Sequence, residues 1–162
     1  AIMAADDELI ERAAGWLSAE IGPIDLTSQS YAFDFTGYYE GEMGPGLIKR
    51  FFSFETLRPP EHLAPLKRRC VAYERAARSA EGRRVVNIDP GYWSDAKLVL
   101  ASTKNFSHRI AVGRRVFAEV TLRRYKGKLQ GLDWTYPDYL SPLALEFFEN
   151  VRNLYLKQLA IP

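Results

Sequence analysis

Sulfur and imidazole are scarce in this chain: 162 residues hold one cysteine, two methionines and two histidines. The lone Cys70 excludes an intramolecular disulfide framework and offers no thiolate pair for zinc. With only His62 and His108, a histidine-rich metal centre is excluded as well. No stretch reaches the roughly 18 uninterrupted apolar residues of a membrane span. The opening Ala1-Ile2-Met3 has neither a basic segment nor a long apolar one behind it. No signal peptide is therefore expected, and the expected location is cytoplasmic. The P-loop pattern, the G-x-G-x-x-G dinucleotide turn and the G-x-S-x-G nucleophile elbow are all absent. Nothing resembling a linker, a repeat or a low-complexity tract interrupts the chain, so the expectation is a single domain over residues 1–162.

What is present is ordinary globular composition, 47% hydrophobic, 26% charged and 13% aromatic. That excludes intrinsic disorder and fibrous repeats. The net charge of +2 conceals an asymmetry. Residues 1–62 carry 11 acids and 4 bases, whereas residues 63–162 carry 9 acids and 18 bases. The bases cluster as Lys67-Arg68-Arg69, Arg83-Arg84, Arg114-Arg115 and Arg123-Arg124. Such a half can meet phosphates. No doublet shows the aromatic interleaving of a single-strand-binding surface, so solvated doublets are the plainer reading.

Helical spacing runs from Asp6-Asp7 through Leu9, Ile10, Ala13, Trp16 and Leu17, with acids at the positive end of the dipole and Gly22-Pro23 as the stop. Thr27 to Phe35 and Leu47 to Phe54 read as strands. A helix starts near Pro59-Pro60, or at Pro65, with Leu63, Leu66, Cys70, Val71, Tyr73 and Ala77 as its stripe. Cys70 there is a small buried hydrophobe. Val85 to Ile88 is a short strand, ended by Asp89-Pro90-Gly91. Ala96 to Ser102 is an apolar run that reads as a buried strand or as a short helix capped by Ser94, with the strand favoured on its shortness and β-branched content. His108 to Val112 and Arg115 to Leu122 form a hairpin about Gly113-Arg114, whose leading glycine suits a type II′ turn. Ser141-Pro142 opens the last helix. The order is α+β, an antiparallel or mixed sheet with helices packed on it. A strand before the first helix would complete a ferredoxin-like β-α-β-β-α-β half. That strand is expected to be missing, and a β-hairpin and C-terminal helix follow.

The hairpin carries the sharpest chemical expectation. A Gly113-Arg114 turn opposes Val112 to Arg115, Ile110 to Phe117 and His108 to Glu119, with Thr121 the diagonal neighbour. Val116, Ala118, Val120 and Leu122 then face the core. A turn shifted by one residue would oppose His108 to Phe117 instead. Glu119 beside His108 favours the imidazolium and orients one ring nitrogen for proton transfer, or makes a cross-strand ion pair with no chemistry. Lys104 and Arg109 are the candidate anion ligands. Asp89 stands at a strand end, where functional groups are commonly presented. Tyr92 follows it, and Trp134, Tyr136, Asp138 and Tyr139 form an aromatic-acidic loop before the last helix. Four scattered acids, Asp34, Asp89, Glu119 and Asp138, are weak grounds for a hard-cation site.

Three groups of residues resemble a known family. They are Phe33-Asp34-Phe35-Thr36 with Tyr38-Tyr39 and Glu42-Met43-Gly44; Asn87-Ile88-Asp89-Pro90-Gly91-Tyr92; and Thr103 to Ile110 with Glu119-Val120-Thr121-Leu122 and Trp134 to Tyr139. In order and spacing they are similar to the prokaryotic family catalogued as domain of unknown function 4416, over nearly the whole chain. The resemblance implies no characterised activity; some members carry a GTP-binding label, for which this chain offers no phosphate-cradling loop. It departs from the family in lacking an apolar strand before the first helix and in placing Arg115 where the hairpin often has glycine.

The functional expectation is a small anionic ligand, a nucleotide or phosphorylated metabolite. His108, Glu119 and Asp89 would handle the chemistry, and Lys104, Arg109, Tyr92 and Asp138 the binding. The alternative is a non-catalytic module that binds RNA or a protein partner through the basic half. The sequence identifies no cofactor and no oligomeric state, and neither a metal ligand set nor a membrane partner is expected.

Overall fold

The computed structural model describes residues 1–160. The chain falls into two compact units, residues 1–59 with 68–89, and residues 60–67 with 90–160. The first unit contains β1 (Ile2–Ala4), α1 (Asp7–Ile21), β2 (Ile24–Thr27), β3 (Tyr31–Ala32), the short helix α2 (Glu40–Met43), β4 (Ile48–Arg50) and β5 (Phe52–Phe54). Helix α3 (Leu63–Ala76) begins in the second unit and continues in the first, followed by β6 (Val86–Ile88). The rest of the second unit is β7 (Gly91–Ser94), β8 (Lys97–Ser102), β9 (Ile110–Gly113), β10 (Val116–Tyr125), β11 (Lys128–Gly131) and α4 (Pro142–Leu159). The chain is an α+β protein with antiparallel open sheets.

The strand expected to be missing is present. Ile2, Met3 and Ala4 are all buried and pair with β4 on one side and β6 on the other. Three residues are too few to show a period in sequence, so only pairing reveals them. The sheet order β3-β4-β1-β6, antiparallel at every step, sets β1 and β3 parallel with β4 between them. That is the split β-α-β arrangement. Helix α1 is capped by Asp6, whose carboxylate accepts from the Leu9 N–H at 2.8 Å, and it packs on β1 and β6. On β1, Met3 turns to the cluster of Met43 and Leu47, with Phe33 and Tyr39 against it.

The single strand expected over Leu47 to Phe54 is two. Ser28 takes both main-chain groups of Phe51, donating its N–H to the Phe51 carbonyl at 3.0 Å and accepting the Phe51 N–H on Oγ at 2.9 Å. The chain thereby leaves the main sheet after Arg50 and pairs Phe52–Phe54 with β2 instead. Of the β-run expected from Thr27 to Phe35, Thr27 ends β2 and Tyr31–Ala32 form β3, and Phe33 then turns into the Met3 cluster.

In the second unit β10 is the spine. It pairs with β8 along one side; β9 and β11 share the opposite side, near its two ends. Val116, Ala118 and Val120 pack with Val99, Ala101, Leu63, Ala64 and Tyr92. Leu122 does not join them. Val120 pairs with Val99 but Leu122 pairs with Leu98, so Thr121 is an extra residue that moves Leu122 to the other face. Gly91 pairs with Leu100, and a Cβ there would lie 2.5 Å from the Val99 carbonyl oxygen and 2.6 Å from Leu100 Cδ2. Backbone cannot move aside cheaply, so Gly91→Ala should cost about 1–3 kcal/mol, read as a lower urea midpoint at unchanged slope.

Candidate functional site

The hairpin that positions the site turns at Arg114-Arg115, not at Gly113-Arg114. Both arginines are left-handed, with φ 55° and 60°, and Gly113 has φ 102°. A turn with both central residues at positive φ matches the twist of the flanking strands, which outweighs the preference of arginine for other backbone states. Gly113 pairs with Val116, then Ala111 with Phe117 and Ile110 with Ala118, leaving Val112 as an extra residue. The ladder ends at Ile110, and its continuation sets Arg109, not His108, opposite Glu119. The two expected partners still meet, with His108 Nε2 3.0 Å from Glu119 Oε2. The turn error and the extra residue displace the register, and a side chain from beyond the ladder's end closes the contact.

Glu119 is the centre of the arrangement. Its side chain is 3% exposed, against 13% for His108. The same Oε2 accepts from Arg109 Nε at 2.6 Å, while Thr121 Oγ1 donates to Oε1 at 3.4 Å. Arg109 is spent inward: Nη1 donates to Ser102 Oγ at 3.2 Å and to the Lys104 carbonyl at 3.1 Å, and Nη2 donates to the Tyr136 hydroxyl at 3.0 Å. Four of its five donors are thus used in fixing loop 103–109 to the sheet. Burial opposes the Arg109 charge, but the hydrogen bond and charge of Glu119, aided by Tyr136, hold its pKa above the ordinary value.

The imidazole lies flat on Trp134, centroids 4.9 Å apart and planes 4° apart, with Phe106 edge-on at 5.4 Å. Trp134 is itself fixed. Between β9 and β11 the outer edge of β10 has no strand partner, and there Trp134 Nε1 donates to the Val120 carbonyl at 2.9 Å. Thr135 Oγ1 donates to the Thr121 carbonyl at 2.6 Å. Two side chains thus close a gap in the ladder and supply the platform for the ring. A carboxylate beside a guanidinium only accepts, so Nε2 is the nitrogen that donates to Glu119. Among the described residues nothing hydrogen-bonds Nδ1, which is left with a lone pair.

Lys104 enters through its main chain, its carbonyl accepting from Arg109 and its N–H donating to Ser102 Oγ at 3.1 Å. Tyr92 pairs with Val99, whereas Glu119 pairs with Leu100, so Tyr92 stands on the opposite face of the sheet, in the apolar cluster. Asp138 is buried in the short 3-10 turn before α4. Asp89 belongs to the first unit, where its carboxylate accepts from Asn87 Nδ2 at 2.8 Å. Around it is a network with no sequence signal. Arg84 reaches Glu74, Glu42 and the Asn87 amide oxygen, and Glu74 accepts the Ile88 N–H at 2.7 Å. Ser102 was likewise invisible in sequence, one hydroxyl at a strand end. Among the described residues no three His, Cys, Asp or Glu side chains are grouped to hold a metal ion. No helix among them is long and apolar enough to cross a membrane.

No curated protein and no solved structure matches the chain. A family model does, across residues 1–155, and the chain therefore belongs to the family described as Domain of unknown function (DUF4416).

Proposed function

We propose that this is a cytoplasmic protein whose second unit binds a small anionic ligand, a nucleotide or phosphorylated metabolite, and exchanges a proton with it through His108. One arrangement carries the reading: a single buried carboxylate is shared by Arg109 and His108, and the other ring nitrogen of His108 has no hydrogen bond among the described residues. Arg109 already balances the charge of Glu119. A protonated His108 therefore leaves the group one positive charge in excess, and an anion complements it. A neutral His108, held by Glu119 and flat on Trp134, presents Nδ1 as a base of fixed direction. Tyr136 accepts from Arg109, which leaves its own O–H to donate. Lys104 is exposed on the same loop and supplies further positive charge.

Titration calorimetry with inorganic phosphate, nucleoside monophosphates and sugar phosphates tests this against His108→Gln, whose amide can still reach Glu119. The expected result is binding of at least one probe by the wild type and a loss of tenfold or more in the variant. The urea midpoint of the variant should move by less than the equivalent of about 1 kcal/mol. Equal affinity in both proteins, or no binding by any probe, contradicts the reading.

A further inference from the structure

The two hairpin tips of the second unit are its most cationic parts, and the second carries an exposed aromatic ring. Between Thr103 and Gly131 the exposed bases are Lys104, Arg114, Arg115, Arg123, Lys126 and Lys128, and the only acid is the buried Glu119. Arg124 is committed to Glu149, with both oxygens at 2.6 Å. Tyr125 is 50% exposed. Arg123 Cζ and Lys126 Nζ each lie 5.4 Å from its ring centroid. The turn is Lys126-Gly127, with φ 49° and 79°, the same doubly left-handed form as at Arg114-Arg115. It fixes the direction in which the tip is offered. Contrary to the expectation of a merely solvated doublet, Arg123-Arg124 thus stands beside an exposed aromatic ring.

We infer that the Arg123–Lys128 tip is a contact site for single-stranded nucleic acid, with Tyr125 as a stacking surface for one base and Arg123, Lys126 and Lys128 as phosphate contacts. The Arg114-Arg115 tip extends the track. β9 and β11 lie on the same side of β10, so the two tips stand at opposite ends of one ten-residue strand. At about 3.3 Å per residue that is roughly 30 Å, the reach of a short oligonucleotide rather than of one phosphate. An acidic protein segment would satisfy the charges equally but has no planar face to lay on Tyr125. This inference is independent of the His108 reading, since it uses none of that residue's contacts.

Fluorescence anisotropy of labelled U12 RNA with the whole chain decides it. The expected result is binding at about 10 μM or tighter in 50 mM salt, weakening about 20–130-fold by 200 mM, as three to five phosphate contacts require. Tyr125→Ala should weaken binding about tenfold without changing the salt slope, because stacking releases no counterions. Tyr125→Phe should bind as the wild type does. Arg123→Glu with Lys126→Glu should remove most binding and flatten the slope; both side chains are exposed, Arg123 on β10 and Lys126 in the turn, so circular dichroism should be unchanged. Polyglutamate of equal charge should compete at least tenfold less well than unlabelled U12. No binding at 50 mM salt overturns the inference. So does Tyr125→Ala binding as the wild type does, or polyglutamate displacing the RNA equally, either of which reports a generic anion surface.

Discussion

Arg109→Ala is expected to lower the unfolding free energy of the second unit by about 3–5 kcal/mol, the cost of breaking a buried ion pair from one side. Glu119 would keep its charge in a site 3% exposed, with only His108 and a long bond from Thr121 left. Ser102 Oγ, the Lys104 carbonyl and Tyr136 would lose their common donor. Urea unfolding should show the midpoint falling at unchanged slope. Arg109→Lys should recover only part, since an ammonium cannot span the carboxylate, the hydroxyls and the carbonyl that the planar fork joins. Replacing both partners, Arg109→Met with Glu119→Met, should cost far less than Arg109→Ala alone, because no buried charge is stranded. An exposed, ligand-facing arginine would instead give a change within about 0.5 kcal/mol. In this geometry Arg109 clips loop 103–109 to the sheet.

Glu74→Ala should have a comparable effect in the first unit, about 3–5 kcal/mol. Its carboxylate accepts from the Ile88 N–H and from Arg84 Nη2, and both side chains are largely buried. Removal of Glu74 takes a buried acceptor from the Ile88 N–H and one of two carboxylate partners from Arg84, which keeps Glu42, the Asn87 amide oxygen and the Val86 carbonyl. Glu74→Gln keeps an acceptor for the N–H and should recover part of the loss. Urea unfolding measures both variants. A loss below about 1 kcal/mol for Glu74→Ala would show that Glu42 and Asn87 hold Arg84 unaided.

What was legible in sequence follows from length and period. α1 announces itself by first-turn acids and a repeated apolar stripe, α4 by its Ser-Pro start and stripe, and β8 by a compact apolar run for which a strand was the favoured of two readings. β1 is too short to carry a period and is visible only as the middle of a sheet. The hairpin was legible, but its register was not. One turn residue and one extra residue at Val112 decide it, and neither has a signature stronger than the glycine beside them. His108 and Glu119 met despite the wrong register because a long imidazole beyond the ladder has reach to spare. Leu122 went to the wrong face for the complementary reason, since a bulge at Thr121 has no sequence mark. Glu74 sits among polar neighbours on α3, so nothing set it apart from a solvated charge. Both buried ion pairs join residues ten apart in the chain, a spacing that neither helical nor strand periodicity marks.

The proposal for His108 rests on which nitrogen holds the proton. Long-range nitrogen–proton NMR on ring-labelled protein reads it directly at a pH where the ring is neutral. The expected spectrum has the proton on Nε2, pointed at Glu119, and a bare Nδ1; in Glu119→Gln the preference should weaken. A proton found on Nδ1 in the wild type would mean that Glu119 does not orient the ring, and the proton-transfer role would fall with it.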